Sequence, residues 1–475
     1  MSLPPETGFA ETRRADDCIN TGRRALQTTA WCPYITIKMT VPGNLAEWLT
    51  YLESLHPKTI ALGLERVAQV KQRLSLNPDS PVITVGGTNG KGSVCAMLES
   101  ILDAAGYRVG CYTSPHLLHY NERVRIAKQQ ASDAELCASF EKIERARGET
   151  ALTYFEFGTL AAVQCFIEHK VDVAILEVGL GGRLDAVNVF DNDCAVIASV
   201  DIDHTDYLGA TREAIAHEKA GIMRKGRVAI CADKDVPQAI TNHAQQIGAD
   251  LWCIGNEFGF TPHQGQWDYR SKVGSRNTLP YPALRGAYQL SNASAAVAAL
   301  DALRDRVPVN MEAVRRGLGE VQLSGRFQVV PGRPALILDV AHNPHAARAL
   351  ARNLAGLTPC AHTYAVFSML ADKDIAGVVS ALDSHVDTWL VAALNTPRAA
   401  DSARLESVLE QCGVRGEIKV CASIFAALSY AYNTASENDR IVAFGSFHTV
   451  AEVMSARGLS VPGDQSSRGK NPRFP

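Results

Sequence analysis

The sequence predicts an α/β chain of two domains: a first with a mostly parallel sheet and a P-loop-type glycine loop, and a smaller second one. Three observations predict it. A β-branched run at 82–85 breaks into glycines, a lysine and then a helical pattern. From there to about residue 231, strand-length apolar runs alternate with helical periods, the mark of a parallel sheet covered on both faces. The same alternation restarts near Phe327. A chain of 475 residues is also too long for one ordinary core.

In order along the chain, residues 1–38 show no apolar period and no signal-like apolar stretch, so a disordered extension is expected. Met39 opens a clean start, followed by helical spacing at Leu45, Trp48, Leu49, Leu52 and Leu55. Strands are expected at 82–85, 108–113, 171–178, 194–200 and 227–231, with helices near 94–105, 133–146, 157–168 and 212–222. Residues 255–285 are polar and broken by Gly and Pro, as a hairpin or loop insert would be. A helix follows at 290–303. The domain boundary falls at 324–326, which gives a first domain of 39–324 and a second of 325–458. The second series places strands at 335–340, 364–368, 389–393, 418–421 and 441–444. Residues 459–475 read as a disordered tail.

Composition excludes several classes. Hydrophobic content of 46% with 20% charged residues fits a globular chain. A net charge of −3 offers no basic surface to nucleic acid. No apolar run approaches the length of a membrane span. The 12 cysteines are scattered without a C-x-x-C pair, so neither zinc nor a disulfide framework is expected. Reduced thiols in the cytoplasm are the simplest reading.

The chemistry is concentrated at predicted strand ends, where open α/β sheets place ligands. Thr88, Asn89, Gly90, Lys91, Gly92 and Ser93 follow the first strand. Glycines there let backbone N–H groups turn toward one point, the helix start adds partial positive charge, and Lys91 adds a full one. The spacing departs from the common P-loop, because Gly92 separates the lysine from the serine and Val85 stands at the first glycine position. Glu177 ends a strand before three glycines and suits magnesium beside a phosphate, or is a solvated turn residue. His204 lies among Asp201, Asp203 and Asp206; it suits a metal, or a capped loop. Lys219 reads by itself as a surface charge. Ser114 offers a hydroxyl at the same edge, in what is otherwise a turn before Pro115. Asp339, His342, Asn343 and Pro344 alone read as a helix cap.

Together these motifs resemble the Mur ligase superfamily and, within it, the folylpolyglutamate synthase and dihydrofolate synthase family, over about residues 45–453. The resemblance rests on Gly87-Thr-Asn-Gly-Lys-Gly-Ser93, Thr113-Ser-Pro-His116, Asn121-Glu-Arg-Val124, Thr153-Tyr-Phe-Glu156, Glu177-Val-Gly-Leu-Gly-Gly-Arg-Leu-Asp185, Asp203-His-Thr-Asp206 and Glu218-Lys-Ala-Gly221. In the second half it rests on Gly325-Arg326, Asp339-Val-Ala-His-Asn-Pro-His345, Asp372-Lys-Asp374 and Gly445-Ser-Phe-His448. It implies a Mur ligase architecture whose second domain is Rossmann-like, and ATP-driven ligation of L-glutamate to dihydropteroate and reduced folates through an acyl phosphate. It also implies two magnesium ions, leaves a monovalent cation open, and implies a cytoplasmic monomer.

By the same resemblance Thr88 to Ser93 cradle the phosphates, and Ser114 and Glu177 hold the first magnesium. His204 holds the second, together with Lys219, the lysine carbamylated in this family. Asn292, Arg326 and Asp339 contact ATP, and Asn292 is expected on the second-domain side. His342 stands with Lys91, His204 and Lys219 in the catalytic group. Ser446 and His448 line the cleft near the incoming glutamate. The pterin side is formed by Thr59, Ile60, Ala61 and Leu62, by Thr153, Tyr154 and Phe155, and by Leu184, Asp185 and Ala186. Phe155 and Asp185 are expected on loops, the ring stacking on the pterin and the carboxylate accepting from its N–H groups. One departure is Ala61, where relatives can carry an acidic residue. A cell-wall or cyanophycin-type ligase, and a nucleotide-binding ATPase without ligase activity, stay open as other readings.

Overall fold

The computed structural model describes residues 42–56, 60–286 and 288–464. The expectations for residues 1–38, for the start at Met39 and for Thr59 lie outside the described residues.

The first sheet contains β1 (Val82–Gly86), β2 (Val109–Tyr112), β3 (Val124–Ile126), β4 (Gln129–Gln130), β5 (Val173–Glu177), β6 (Cys194–Ile197), β7 (Val228–Cys231) and β8 (Asp250–Cys253). Their spatial order is β4-β3-β2-β5-β1-β6-β7-β8. Pairing is parallel except along β2–β3–β4. β1 stands between β5 and β6, so the chain leaves it toward β2 on one side and later returns to the other. The crevice beyond its carboxyl end is the ligand position of such sheets. Alternate side chains feed two cores. Ile83, Val85, Val173 and Ile175 face one, and Val82, Ala174 and Leu176 face the other.

Helices Lys91–Ala104, Gln289–Ala302 and Met311–Glu320 cover one face. Helices Leu45–Ser54, Asp133–Arg147, Tyr154–Glu168 and Arg212–Ala220 cover the other. Their starts carry side-chain caps: Asn44 accepts from the Glu47 N–H, and Ser132 and Thr153 each form a reciprocal pair with a glutamate three residues on. Gln289–Ala302 packs on Lys91–Ala104, so Asn292 belongs to the first domain, contrary to the expectation that the second supplies it. The polar insert is a three-stranded antiparallel sheet of β9 (Phe258–Pro262), β10 (Gln266–Ser271) and β11 (Gly274–Pro280), anchored through buried Trp267 and Tyr269.

The second sheet holds β12 (Gln328–Val330), β13 (Ala335–Leu338), β14 (Thr363–Phe367), β15 (Thr388–Val391), β16 (Glu417–Val420) and β17 (Arg440–Phe444), in the order β12-β13-β17-β14-β15-β16. Only β12 runs antiparallel to its neighbour. The parallel pairing of β13 with β17 sets the segments after Leu338 and Phe444 side by side.

Several elements go beyond the sequence pattern. The helix Glu65–Leu74 buries only Val67 and Val70, too few for a visible period. β4 is two glutamines. Residues 459–464 depart from the expected disordered tail: Val461 is buried in the second domain's core, and Gln130 Nε2 donates to the Pro462 carbonyl at 3.1 Å.

Gly317 marks the tightest helix contact. A Cβ there would stand 2.4 Å from the Ile101 Cα in the facing helix. Gly317→Ala is expected to lower unfolding free energy by about 1–3 kcal/mol. Urea unfolding measures it, and wild-type stability would show that the two helices separate at no cost.

Candidate active site

The glycine loop closes the C-terminal end of β1. Gly90 caps the helix Lys91–Ala104 at φ 90°. A side chain there would meet Asn292 Oδ1 at 2.6 Å, so backbone conformation and close approach both demand glycine. The Thr88 N–H donates to the Ser199 carbonyl at 2.7 Å, and the Asn89 N–H to Ser199 Oγ at 3.1 Å, fixing the loop against the end of β6. Lys91 Nζ folds back onto the Gly87 and Thr88 carbonyls at 3.1 and 3.3 Å. Ser93 is buried in the first turn of the helix.

Beside the loop is Glu177, at the end of β5. Its Oε2 accepts from the Ser114 N–H at 3.0 Å. Burial raises its pKa, opposed by the charges of Lys91, Arg326 and Arg125. Lys219 corrects the surface-charge reading of that lysine. It is 3% exposed and has no hydrogen bond or ion pair among the described residues. Burial, and next Lys91, bring its pKa down to about 7. The amine is therefore substantially neutral at neutral pH, which makes it a nucleophile.

The second domain meets this edge through buried polar contacts. Asp203 accepts from Lys373 Nζ at 2.5 Å and from Asn343 Nδ2 at 3.1 Å, with His342 Nε2 at 3.6 Å. Burial alone would raise the Asp203 carboxyl, yet His342, His204 and Lys373 hold it well below the usual carboxylate range. His204 adopts a left-handed backbone, and burial lowers its pKa to about 4, leaving a neutral imidazole. Asn89 and Asn343 exchange side-chain bonds at 3.1 and 3.2 Å, which ties the glycine loop to the second domain. Asn343 also caps the helix Pro344–Ala355, so the cap reading of that motif is correct as well. Asp339 accepts from the Phe327 and Ala341 N–H groups at 2.9 and 2.8 Å. Arg326 stacks over the Phe447 ring at 4.9 Å, and burial lowers its pKa. Ser446 is buried and caps the last helix.

On the far side of Glu177 the cavity turns aromatic. Phe155 lies in the first turn of Tyr154–Glu168 rather than on a loop, 5.8 Å from the Tyr112 ring. Asp185 caps a 3-10 turn, where its oxygens accept from Leu180 and Val187 N–H groups at 2.8 and 3.1 Å. Burial pushes its carboxyl up to about 7. The Gly63 N–H donates to the Leu184 carbonyl, and Arg66 joins the Ala61 carbonyl to Glu156, so the three ring-side segments are knitted together.

Every described candidate residue lines one cavity of about 1150 Å³, beyond the usual ~300–1,000 Å³ of a single-ligand pocket. Sequence reasoning gave no role to Asp203, Lys373, Arg66 or Arg123. Asp203 and Lys373 sit inside quoted motifs, whereas Arg66 carries no sequence signal.

Comparison with known proteins shows the family. Residues 85–300 match the Mur ligase middle domain and residues 325–447 the Mur ligase glutamate ligase domain. The dihydrofolate synthase/folylpolyglutamate synthase of Escherichia coli K12 is 47% identical over 86% of this chain and 94% of its own length. The chain belongs to the dihydrofolate synthase/folylpolyglutamate synthase family of Mur ligases. Among solved structures, E. coli FolC in complex with DHPP and ADP superposes with a TM-score of 0.83 at 46% identity, covering 87% of this chain and 98% of that one. A bifunctional folylpolyglutamate synthase/dihydrofolate synthase with Mn, AMPPNP and L-glutamate bound gives 0.82 at 47% identity, covering 88% and 100%. Among the described residues, no helix is long and apolar enough to cross a membrane.

The donors of this Mur ligase cavity fit a divalent cation in part. Glu177 and the Ser114 hydroxyl are hard oxygen donors of the kind magnesium takes. No group of three His, Cys, Asp or Glu among the described residues could hold an ion unaided, so phosphate oxygens or a further anion must complete the shell. The Lys219 amine is a poor magnesium ligand, and its carbamate is a good one.

Lys219 has a measurable consequence for stability. Its folded pKa lies near 7 and its ordinary value is 10.5, so across that window the unfolded chain holds a proton the folded chain sheds. Stability rises with pH there, and the penalty is full below it. In metal-free buffer purged of carbon dioxide, Lys219→Met is expected to melt above wild type at pH 6.5, with the gap closing toward pH 10. A pH-independent difference would mean that the amine is solvated.

Proposed function

We propose that this chain is an ATP-dependent ligase that joins L-glutamate to dihydropteroate and to reduced folates, in the manner of the family to which it belongs. The observation that carries the reading is the single cavity. It joins a glycine loop with its lysine, the buried carboxylate of Glu177, the buried amine of Lys219, and an aromatic, acidic ring slot.

The reaction brings two anions together, so the protein must place positive charge between them. Lys91 exchanges the Gly87 and Thr88 carbonyls for the terminal phosphates of ATP, while the backbone N–H groups at the helix start receive them. Arg326 stands on the opposite wall. Its guanidinium Nη2 lies 3.7 Å from a Cβ built at Gly92, close enough to neutralise phosphate charge. Asn292 and Asp339 hold the rest of the nucleotide. Glu177 and Ser114 would hold one magnesium ion, which would add charge neutralisation when bound, and His204 with a carbamate on Lys219 would hold a second. In forming that carbamate, the neutral amine attacks carbon dioxide and loses one proton, which turns a neutral group into an anion.

The substrate carboxylate attacks the γ-phosphorus and ADP leaves, giving an acyl phosphate. The glutamate amine then attacks the acyl carbon, and phosphate leaves with one carboxylate oxygen. Ser446, His448 and His342 border the side from which glutamate arrives. Phe155, Tyr154, Leu184 and Ala186, with Ile60, Ala61 and Leu62, form the slot for the ring, and the Asp185 carboxyl is the polar group inside it. The closed interface excludes water from a hydrolysable intermediate.

The test is mass spectrometry of products from purified protein, ATP, L-glutamate and either dihydropteroate or a reduced folate. Mass gains of one glutamyl unit on both acceptors are expected. ATP hydrolysis independent of acceptor and glutamate would favour the plain ATPase reading.

Lys91→Ala is expected to remove about 3–4 kcal/mol of transition-state stabilisation, several hundredfold in turnover, with the circular dichroism and melting temperature retained. Near-normal ligation by the folded variant would overturn the phosphate role. Asp185→Ala is expected to damage dihydropteroate ligation more than extension of a reduced folate, by about 1–3 kcal/mol, read as the ratio of the two kcat/KM values. Equal losses would mean one shared mode of ring binding.

A further inference from the structure

The half-buried arginines of this protein are mostly ion-paired: Arg66 with Glu156, Arg125 with Glu99, Arg147 with Glu144, Arg276 with Asp301. Arg123 is different. It lines the cavity and has no carboxylate partner among the described residues. Its guanidinium stacks 5.4 Å from the Tyr120 ring and 5.5 Å from the Tyr154 ring. Its Nε donates to His116 Nδ1 at 2.9 Å. An imidazole nitrogen that accepts this bond brings no negative charge, so the cation is left without a counter-charge there. Among the described residues neither Nη group has a protein acceptor, and the two present the fork geometry that takes a carboxylate through two parallel bonds.

Its position says which carboxylate. Tyr154 adjoins Phe155 in the ring slot, and His116 lies two residues beyond Ser114, whose N–H is bonded to Glu177. Arg123 therefore stands between the ring slot and the phosphate end, where the tail of a bound pteroyl compound passes. Dihydropteroate has one carboxylate, and that one reacts. A folate carries in addition an α-carboxylate that does not react and needs a lasting cation.

We propose that Arg123 binds the α-carboxylate of the glutamate already present on a folate substrate, and so governs chain extension more than the first glutamate addition. This rests on the ligase reading above and adds a residue that tells its two acceptors apart.

The test compares kcat/KM for tetrahydrofolate monoglutamate and for dihydropteroate at saturating ATP and L-glutamate, in wild type, Arg123→Gln and Arg123→Lys. Arg123→Gln is expected to lower the folate value at least about tenfold more than the dihydropteroate value, since a lost hydrogen bond to a charged group costs that much, with Arg123→Lys between. Equal losses, no loss, or a larger loss on dihydropteroate would overturn the proposal. A second arm needs no variant. Wild type should use the α-carboxamide of tetrahydrofolate monoglutamate at least about tenfold less well than the parent, and equal use would overturn the proposal even if Arg123→Gln failed to fold. Wild-type inactivity on either acceptor would instead refute the underlying ligase reading.

Discussion

The carboxylate of Asp203 holds the two domains face to face. It comes from the segment after β6, and its partners Lys373, Asn343 and His342 all come from the second domain. Both Asp203 and Lys373 are nearly buried, so each depends on the other for the solvation it has given up. Removing one partner of such a pair costs about 3–5 kcal/mol because the other charge is stranded. Together with the Asn89–Asn343 exchange, this contact sets the cavity and the distances across it between the glycine loop and Asp339 or Arg326. His204 next door inherits its neutral state from the same burial.

Charge inside the cavity is distributed to meet the same problem from two sides. Lys91 and Arg326 face the place where two anions must approach, and Glu177 sits close enough for both to oppose the rise in its pKa. Lys219 is the unusual member, because burial has brought its pKa down to about 7. An amine that is partly neutral at pH 7 is one reaction with carbon dioxide away from being an anion. The ring side needs none of this, and it is aromatic and hydrogen-bonded internally through Arg66, Glu156 and Asp185.

The glycine loop and most central strands were legible in the sequence because strand, glycines, lysine and helix follow one another without interruption. The tandem α/β arrangement was legible for the same reason, since the central strands of both sheets are buried along their whole length. What sequence could not show depends on distant partners. Lys219 looks like any helical lysine until the fold buries it. Asn292 falls inside the first domain by the boundary at 324–326, and only the docking of its helix on Lys91–Ala104 shows which face it serves. Phe155 was expected on a loop because the Thr153–Glu156 reciprocal cap starts its helix earlier than the apolar period suggests. Val461 joins a core from a stretch whose composition is that of a tail.

The central claim is that this cavity joins a substrate carboxylate to the γ-phosphate of ATP before the amine arrives. The most direct measurement uses dihydropteroate labelled with oxygen-18 in its carboxylate, with ATP and L-glutamate, and reads the isotope content of the released phosphate. One labelled oxygen per phosphate is expected, carried over when the acyl phosphate is cleaved by the amine. Phosphate without label, alongside normal glutamate ligation, would contradict the account.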